Sequence, residues 1–293
     1  MKETAVLLID CPDQKGLVAR VSSLLYRHGA NILHADQHQD HELGLFFMRV
    51  EWSLNGSADS STSPSHSFDL EAFKAEFEPL ASELKMRWKL TAAGHRPRVA
   101  LFCSQYLHCV ADLLFRWRVG ELECEIPVII SNHRAVAELA VFYGIHFEHV
   151  SVTAATTKQA EVRQLELLTR QRIELVVLAR YMQVLSPTFV GRYPNSIINV
   201  HHSFLPAFTG ARPYHAAHAR GVKLIGATSH YVTEALDDGP IIEQDVARIS
   251  HRDQVEDLVE RGRDLERVVL SRAVRWHLDR RILCYENKTV VFD

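Results

Sequence analysis

After Pro97 the sequence alternates short apolar runs with amphipathic stretches, and that alternation leaves few folds open. Arg98 to Cys103, Ile126 to Ser131, a short run near His146 and Glu174 to Ala179 read as strands. His108 to Trp117, Arg134 to Tyr143 and Lys158 to Arg172 read as helices between them. The pattern predicts a mainly parallel sheet with helices on both faces. Further on, Ser196 to Val200, Val222 to Val232 and Ile241 to Ile249 are strands, the last two bracketing a turn-rich loop from Glu234 to Pro240. Gln254 to Leu278 is a long helix with Val255, Leu258, Val259, Leu265, Val269, Ala273 and Trp276 on one stripe. A hairpin, Ile282 to Tyr285 and Thr289 to Phe292, closes the chain.

The first ninety residues follow a different order. Ala5 to Asp10 is a strand, and Cys11 to Gly16 a turn. A helix carries Leu17, Val18, Val21, Leu24 and Leu25 on one face and stops at Gly29. Asn31 to Gln39 and Leu43 to Trp52 are strands, and the Ser- and Gly-rich segment 55–67 is expected to be a mobile loop. Asp69 caps a second helix that buries Phe73, Phe77 and Leu80, and Lys85 to Leu90 is a fourth strand. Strand-helix-strand-strand-helix-strand is a ferredoxin-like order. The expected division is residues 1–91 as one domain, 92–97 as a linker and 98–293 as a second domain. The fold class is therefore α/β in both parts.

At 293 residues, two domains are the natural expectation. A net charge of −3 gives no electrostatic footprint for nucleic acid or an anionic membrane. No apolar run reaches the length of a membrane helix, and Met1 to Thr4 lead into a strand and not a signal peptide. Five cysteines, with no Cys-x-x-Cys pair, argue against a disulfide framework and a cysteine zinc site. A cytoplasmic protein is the plain reading.

The chemistry-bearing residues gather at the end of the strand Ser196 to Val200. Side chains alternate along a strand, so Asn199 and His201 point the same way. That sets an amide donor beside an imidazole at a carboxyl strand end, where α/β sheets keep their chemistry. An amide can hold an oxyanion and an imidazole can move a proton near neutral pH. Asp237 is the candidate third group, although Asp237-Asp238-Gly239-Pro240 also has the composition of a plain turn. His202 and His230 are auxiliary candidates; His202 joins the site only if the loop turns it inward. His215, His218 and His230 invite a zinc reading, but no His-Glu-x-x-His helix is present, so no metal is expected.

Four motifs stand in order: Asn199-x-His201, Leu205-Pro206-x-Phe208-x-Gly210, Gly226-x-Thr228-x-His230 and Leu236-Asp237-x-Gly239-Pro240-Ile241-Ile242-x-Gln244. From about Arg98 to Leu278 they resemble the folate-dependent formyltransferase family. The resemblance implies that Asn199, His201 and Asp237 are catalytic, and that the loop Ala179 to Ser186 binds folate. The implied folate contacts are Tyr181, Met182, Gln183, Val184 and Leu185, with Glu234 and Ala235.

Residues 1–91 resemble the ACT domain, a ligand-sensing module, through Asp13-x-x-Gly16-Leu17-Val18 and Gly29-Ala30-Asn31-Ile32. That likeness implies a small amino-acid effector near Asp13, Gly16 and Asn31, or a purely assembling role, and a homodimer or homotetramer.

Departures within the family narrow the acceptor. Where the phosphate-binding members have a glycine-rich turn, this chain reads Phe102-Cys103-Ser104-Gln105-Tyr106-Leu107-His108, without glycines to let backbone amides approach a phosphate. His201-His202-Ser203-Phe204 and the joined ACT-like part resemble the formyltetrahydrofolate deformylase branch of the family. This implies a hydrolase of one-carbon and purine metabolism that acts on an amide: 10-formyltetrahydrofolate and water give tetrahydrofolate and formate, with no cofactor. Two alternatives stay open. One is formyl transfer to a small non-phosphorylated acceptor; the other is a non-catalytic folate- or amino-acid-binding regulator.

Overall fold

The computed structural model describes residues 4–54, 68–92, 94–207 and 213–292. The expected loop 55–67, residue 93 of the expected linker, and residues 208–212 of the motif region lie outside the described residues. The chain divides into two compact units, residues 1–95 with 280–283 and 290–293, and residues 96–279 with 284–289. The two ends of the terminal hairpin therefore belong with the first unit, although the sequence pattern groups them with the second.

In the first unit β1 (Thr4–Pro12), α1 (Leu17–Arg27), β2 (Asn31–Asp40), β3 (Leu45–Ser53), α2 (Leu70–Glu83) and β4 (Arg87–Ala92) form an antiparallel sheet of order β2-β3-β1-β4. β1 is central because it is apolar on both faces, and Ala5, Leu7 and Ile9 are fully buried. Leu17, Val21, Leu24 and Leu25 of α1 face the core, whereas Val18 is exposed. Asp69 caps α2 as expected, accepting from the backbone of Glu71 and Ala72 at 3.0 Å each. The buried face of α2 is Phe73, Phe77 and Ala81; Leu80, expected there, packs at its edge. Phe73 and Phe77 stack with centroids 5.5 Å apart, and Phe77 meets Trp88 edge-on at 5.0 Å.

The second unit is built on seven strands: β5 (Arg98–Cys103), β6 (Glu125–Ser131), β7 (His146–His149), β8 (Leu175–Leu178), β9 (Ile197–His201), β10 (Leu224–Tyr231) and β11 (Ile241–Arg248). Their spatial order is β11-β10-β9-β8-β5-β6-β7. The pairs from β7 to β9 are parallel, as expected, and β10 and β11 run antiparallel at one side. β8 is buried at every residue, so its apolar run has neighbours on both faces.

The connecting helices are α3 (His108–Arg118), α4 (Ala137–Tyr143), α5 (Thr157–Arg170), α6 (Pro187–Val190), α7 (Pro213–Arg220) and α8 (Val255–Leu278). Chain order jumps from β7 on one side of β5 to β8 on the other, which opens a crevice beyond the carboxyl ends of these strands. The terminal strands β12 (Ile282–Tyr285) and β13 (Lys288–Val291) pair with each other.

The stripe on α8 differs from its sequence reading. Leu258, Val269 and Ala273 are buried, but Val255 and Trp276 are only half-buried and the buried face includes Gly262, Glu266, Leu270 and Val274. A buried carboxylate at Glu266 is the departure with chemical consequences.

Truncating Phe77 to Ala removes a fully buried ring, a class of change that costs about 3–5 kcal/mol. Urea unfolding followed by the fluorescence of Trp52 and Trp88 should show that loss.

Candidate active site

The register of β9 against its two neighbours assembles the site. Leu178 of β8 pairs with Asn199, and on the other side His230 pairs with Asn199 and Thr228 with His201. Directly opposed residues share a face. Asn199 Nδ2 accordingly lies 3.2 Å from His230 Nε2. His230 Nδ1 lies 2.9 Å from the carbonyl of Tyr231, which can only accept, so Nδ1 carries the proton. Burial holds this imidazole below its ordinary value, so it is neutral and Nε2 offers a lone pair. Asn199 therefore donates one amide hydrogen to His230 and keeps the other for the cleft.

Asp237 comes from the loop after β10. Its Oδ2 lies 3.2 Å from His201 Nδ1, and Oδ1 is 3.9 Å from His230 Nε2. The hydrogen bond from His201 holds the Asp237 carboxyl below the usual carboxylate range. With Nδ1 committed, His201 Nε2 remains buried without a hydrogen-bond partner among the described residues. A ring nitrogen left open beside a cleft is the arrangement expected where a reacting group must be met.

Several motif residues prove to be braces. Asp237 takes φ 55°, a left-handed conformation that Asp tolerates better than most residues. A Cβ at Gly239 would stand 1.7 Å from the Tyr231 carbonyl oxygen, so only glycine lets this loop lie on β10. Asn287 Nδ2 donates to the Asp238 carbonyl at 2.7 Å from the terminal hairpin. The turn after His202 is clamped by Thr228, whose Oγ1 donates to Ser203 O at 2.8 Å and accepts from Leu205 N at 3.0 Å. Gln244 Nε2 donates to Leu205 O at 3.0 Å. That clamp turns His202 inward: it lines the cleft, its ring 5.0 Å from that of His201.

The cleft has a volume of about 660 Å³. Its wall includes Tyr181, Met182, Gln183, Val184 and Leu185 on one side and Glu234 and Ala235 on the other, facing Asn199, His201, His202, His230 and Asp237. Tyr181 reaches the core and not the cleft centre, accepting from Gln164 Nε2 at 2.9 Å with its ring edge-on to Phe102. Leu236 also lines the cleft, 69% exposed, as does Arg180; neither is in the sequence-derived set. Asp13 and Gly16 line a separate hollow in the first unit with Gln37, His38 and Gln39, and Asp13 accepts from Gln39. Asn31 is not part of that hollow: it starts β2 opposite Ser53, whereas Gln39 pairs with Phe46 near the other end.

The turn after β5 is filled with side chains. Ser104 Oγ donates to Asn132 Oδ1 at 2.7 Å and accepts from Met182 N at 3.1 Å. Next to it lies a polar cluster centred on Glu266, whose side chain is 1% exposed. His108 Nε2 stands 2.7 Å from Glu266 Oε2, and Tyr214 donates to Oε1 at 2.8 Å. Burial alone would push this carboxyl up; the His108 hydrogen bond and the Arg180 charge outweigh it and hold the group ionised. Gly262 makes the cluster feasible, since a Cβ there would stand 2.1 Å from Tyr214 Oη.

His108, Cys109 and Glu266 are grouped closely enough to suggest a metal site. The donor set fits a cation poorly. Glu266 has both oxygens occupied and a guanidinium beside it, and burial pushes the Cys109 thiol well up, away from the thiolate a metal needs.

Residues 97–274 match the family model described as formyl transferase, and residues 5–51 match the ACT domain. A formyltetrahydrofolate deformylase of Synechocystis is 53% identical over 99% of this chain and 98% of its own length. One of Bacillus subtilis is 49% identical over 98% and 93%. A crystal structure of a formyltetrahydrofolate deformylase from Pseudomonas syringae superposes with a TM-score of 0.93 at 47% identity, covering 100% of this chain and 95% of that one. The fold and cleft are thus those of the formyl transferase class, joined to an ACT domain. Within it, the chain belongs to the formyltetrahydrofolate deformylase family.

The depressed His230 value fixes a pH signature. Above about pH 6.5 the imidazole is neutral whether the chain is folded or not. Below it the unfolded chain takes up a proton that the folded one resists, so stability falls by up to about 1.4 kcal/mol per pH unit for one proton. Asp237, depressed instead, contributes stability that is lost only at pH values below the ordinary carboxylate range. Thermal melts between pH 7.5 and 5.5 should therefore show a shallower decline for His230→Gln than for the wild type.

Proposed function

We propose that the protein hydrolyses 10-formyltetrahydrofolate to tetrahydrofolate and formate, with Asn199, His201 and Asp237 as the catalytic residues. The observation that carries the assignment is the open, buried Nε2 of His201, with its Nδ1 locked onto Asp237.

Water adds to the formyl carbon, and the oxygen that gains charge is met by the free amide hydrogen of Asn199 and by His201 Nε2 in its protonated form. Asp237 sustains the positive charge on His201 through Oδ2, while Oδ1 accepts a proton of the attacking water. Collapse breaks the bond from carbon to nitrogen; the nitrogen takes a proton and leaves as tetrahydrofolate. His202 borders the same space, and its adjacent ring suits it to hold the water. No metal is required for these steps, since each charge that develops has a protein group facing it.

The folate is proposed to lie between 181–185 and 234–235, its pterin ring held by backbone groups. Water is favoured as acceptor because the turn after β5 is occupied by Ser104, Tyr106 and their contacts and offers no glycine cradle for a phosphate. The ACT-like domain, residues 1–91, is proposed to sense a small amino acid at the Asp13–Gly16 hollow and to pair copies of the chain into a dimer or tetramer. Five free cysteines suit a reducing compartment such as the cytoplasm. Among the described residues no helix is long and apolar enough to cross a membrane.

Two experiments test this reading. Purified protein mixed with 10-formyltetrahydrofolate in buffer should release formate without any amine acceptor. Asn199→Ala and Asp237→Asn should each lower turnover by about 10²–10³; wild-type rates in either would refute the roles given. For the first unit, glycine or methionine should shift the initial rate, and Asp13→Ala should abolish that response.

A further inference from the structure

The steps above leave Arg180 without a task, yet its placement is unfavourable in two ways. Its backbone sits at φ 63°, a region non-glycine residues rarely enter. The residue is also only 9% exposed, and a buried guanidinium is disfavoured unless its donors are used. Arg180 Nε lies 3.4 Å from Glu266 Oε2, off the angle of a hydrogen bond, and both Nε and Nη1 are buried without a hydrogen-bond partner among the described residues. Glu266 does not satisfy them in this geometry: its two oxygens are bonded by His108 and Tyr214, and it faces Arg180 as a charge and not as an aligned acceptor. The carboxylate neutralises Arg180 and leaves its donors open.

Arg180 lines the catalytic cleft together with Asn199, His201 and Asp237. Leu178, the last residue of β8, pairs with Asn199, so Arg180 follows in the turn just beyond β8, at the same end of the sheet as His201. Tyr106 packs on the guanidinium with its centroid 5.5 Å from Cζ, which fixes the plane of the fork.

Hydrolysis creates one small anion at this spot. The water oxygen bonds to the formyl carbon, the bond to nitrogen breaks, and the departing nitrogen takes one proton. The formic acid so formed gives up its remaining acidic proton near neutral pH and becomes a carboxylate. The formyl group of the substrate is neutral, so a full ion pair with Arg180 is open to the formate product and not to the bound substrate. Resting on the hydrolytic reading, we propose that Arg180 is the receptor for formate, its guanidinium donating to a carboxylate oxygen.

The test measures formate itself. Binding of ¹³C-formate in the presence of tetrahydrofolate is followed by NMR, and inhibition by added formate is followed in initial rates. Arg180→Gln should weaken formate by about ten-fold or more in both, as loss of a hydrogen bond to a charged group implies, and Arg180→Lys should keep part of the affinity. Because the single change strands the Glu266 charge, the double variant Arg180→Gln/Glu266→Gln, checked by circular dichroism, should show the same formate loss. Equal formate affinity in wild type and variants would overturn the proposal. So would a variant that loses folate affinity and keeps formate affinity, which would assign the guanidinium to the pterin. If the wild type bound formate through Arg180 but released none from the formyl-folate, the anion site would stand and the hydrolytic reading would fall.

Discussion

The contact between Asp237 Oδ2 and His201 Nδ1, 3.2 Å long, is what the rest of this structure serves. It fixes which ring nitrogen of His201 is bound and which is open, and it holds the carboxyl below the usual carboxylate range. Neither residue achieves this alone, since they lie on a strand and on a loop thirty-odd positions apart. The antiparallel entry of β10 beside β9 brings the loop back over the site, and Gly239 removes the side chain that would hold it off. Thr228 and Gln244 fix the turn on the other flank of His201. The motif residues thus divide into the three proposed to do the chemistry and several that hold those three in register.

A second carboxylate gives the site its asymmetry. Asp237 is half-buried beside the cleft and has an oxygen to spare; Glu266 is enclosed, and both of its oxygens are taken. The first is suited to exchange protons with water and the second to remain a fixed countercharge. Glu266 gathers His108, Tyr214 and Arg180 beside the turn after β5, a turn that offers no glycine cradle for a phosphate.

Much of this was legible in the sequence, for identifiable reasons. Strand alternation placed Asn199 and His201 on one face, and the apolar periods marked the elements of both units. Asp237 was a candidate third group from its loop, and the ordered motifs set it apart from a plain turn, which is all that Asp-Asp-Gly-Pro alone describes. Glu266 was not legible: between Leu265 and Arg267 it reads as a solvent-facing residue, and its burial depends on groups arriving from α3, α7 and the end of β8. The directions of β10 and β11 were equally hidden, since an apolar strand period carries no polarity. Signals did exist for α6, where Ser186 caps and Pro187 takes the first position, and for α7, which starts at Pro213.

The central claim is that this geometry delivers a formyl group to water, and isotopic labelling tests it most directly. The purified protein is given 10-formyltetrahydrofolate in H₂¹⁸O with no amine present, and the formate is analysed by mass spectrometry at early times. One ¹⁸O per formate, released in step with tetrahydrofolate, is the predicted result. Formate that carries no label, or that appears only when an amine acceptor is added, would contradict the account.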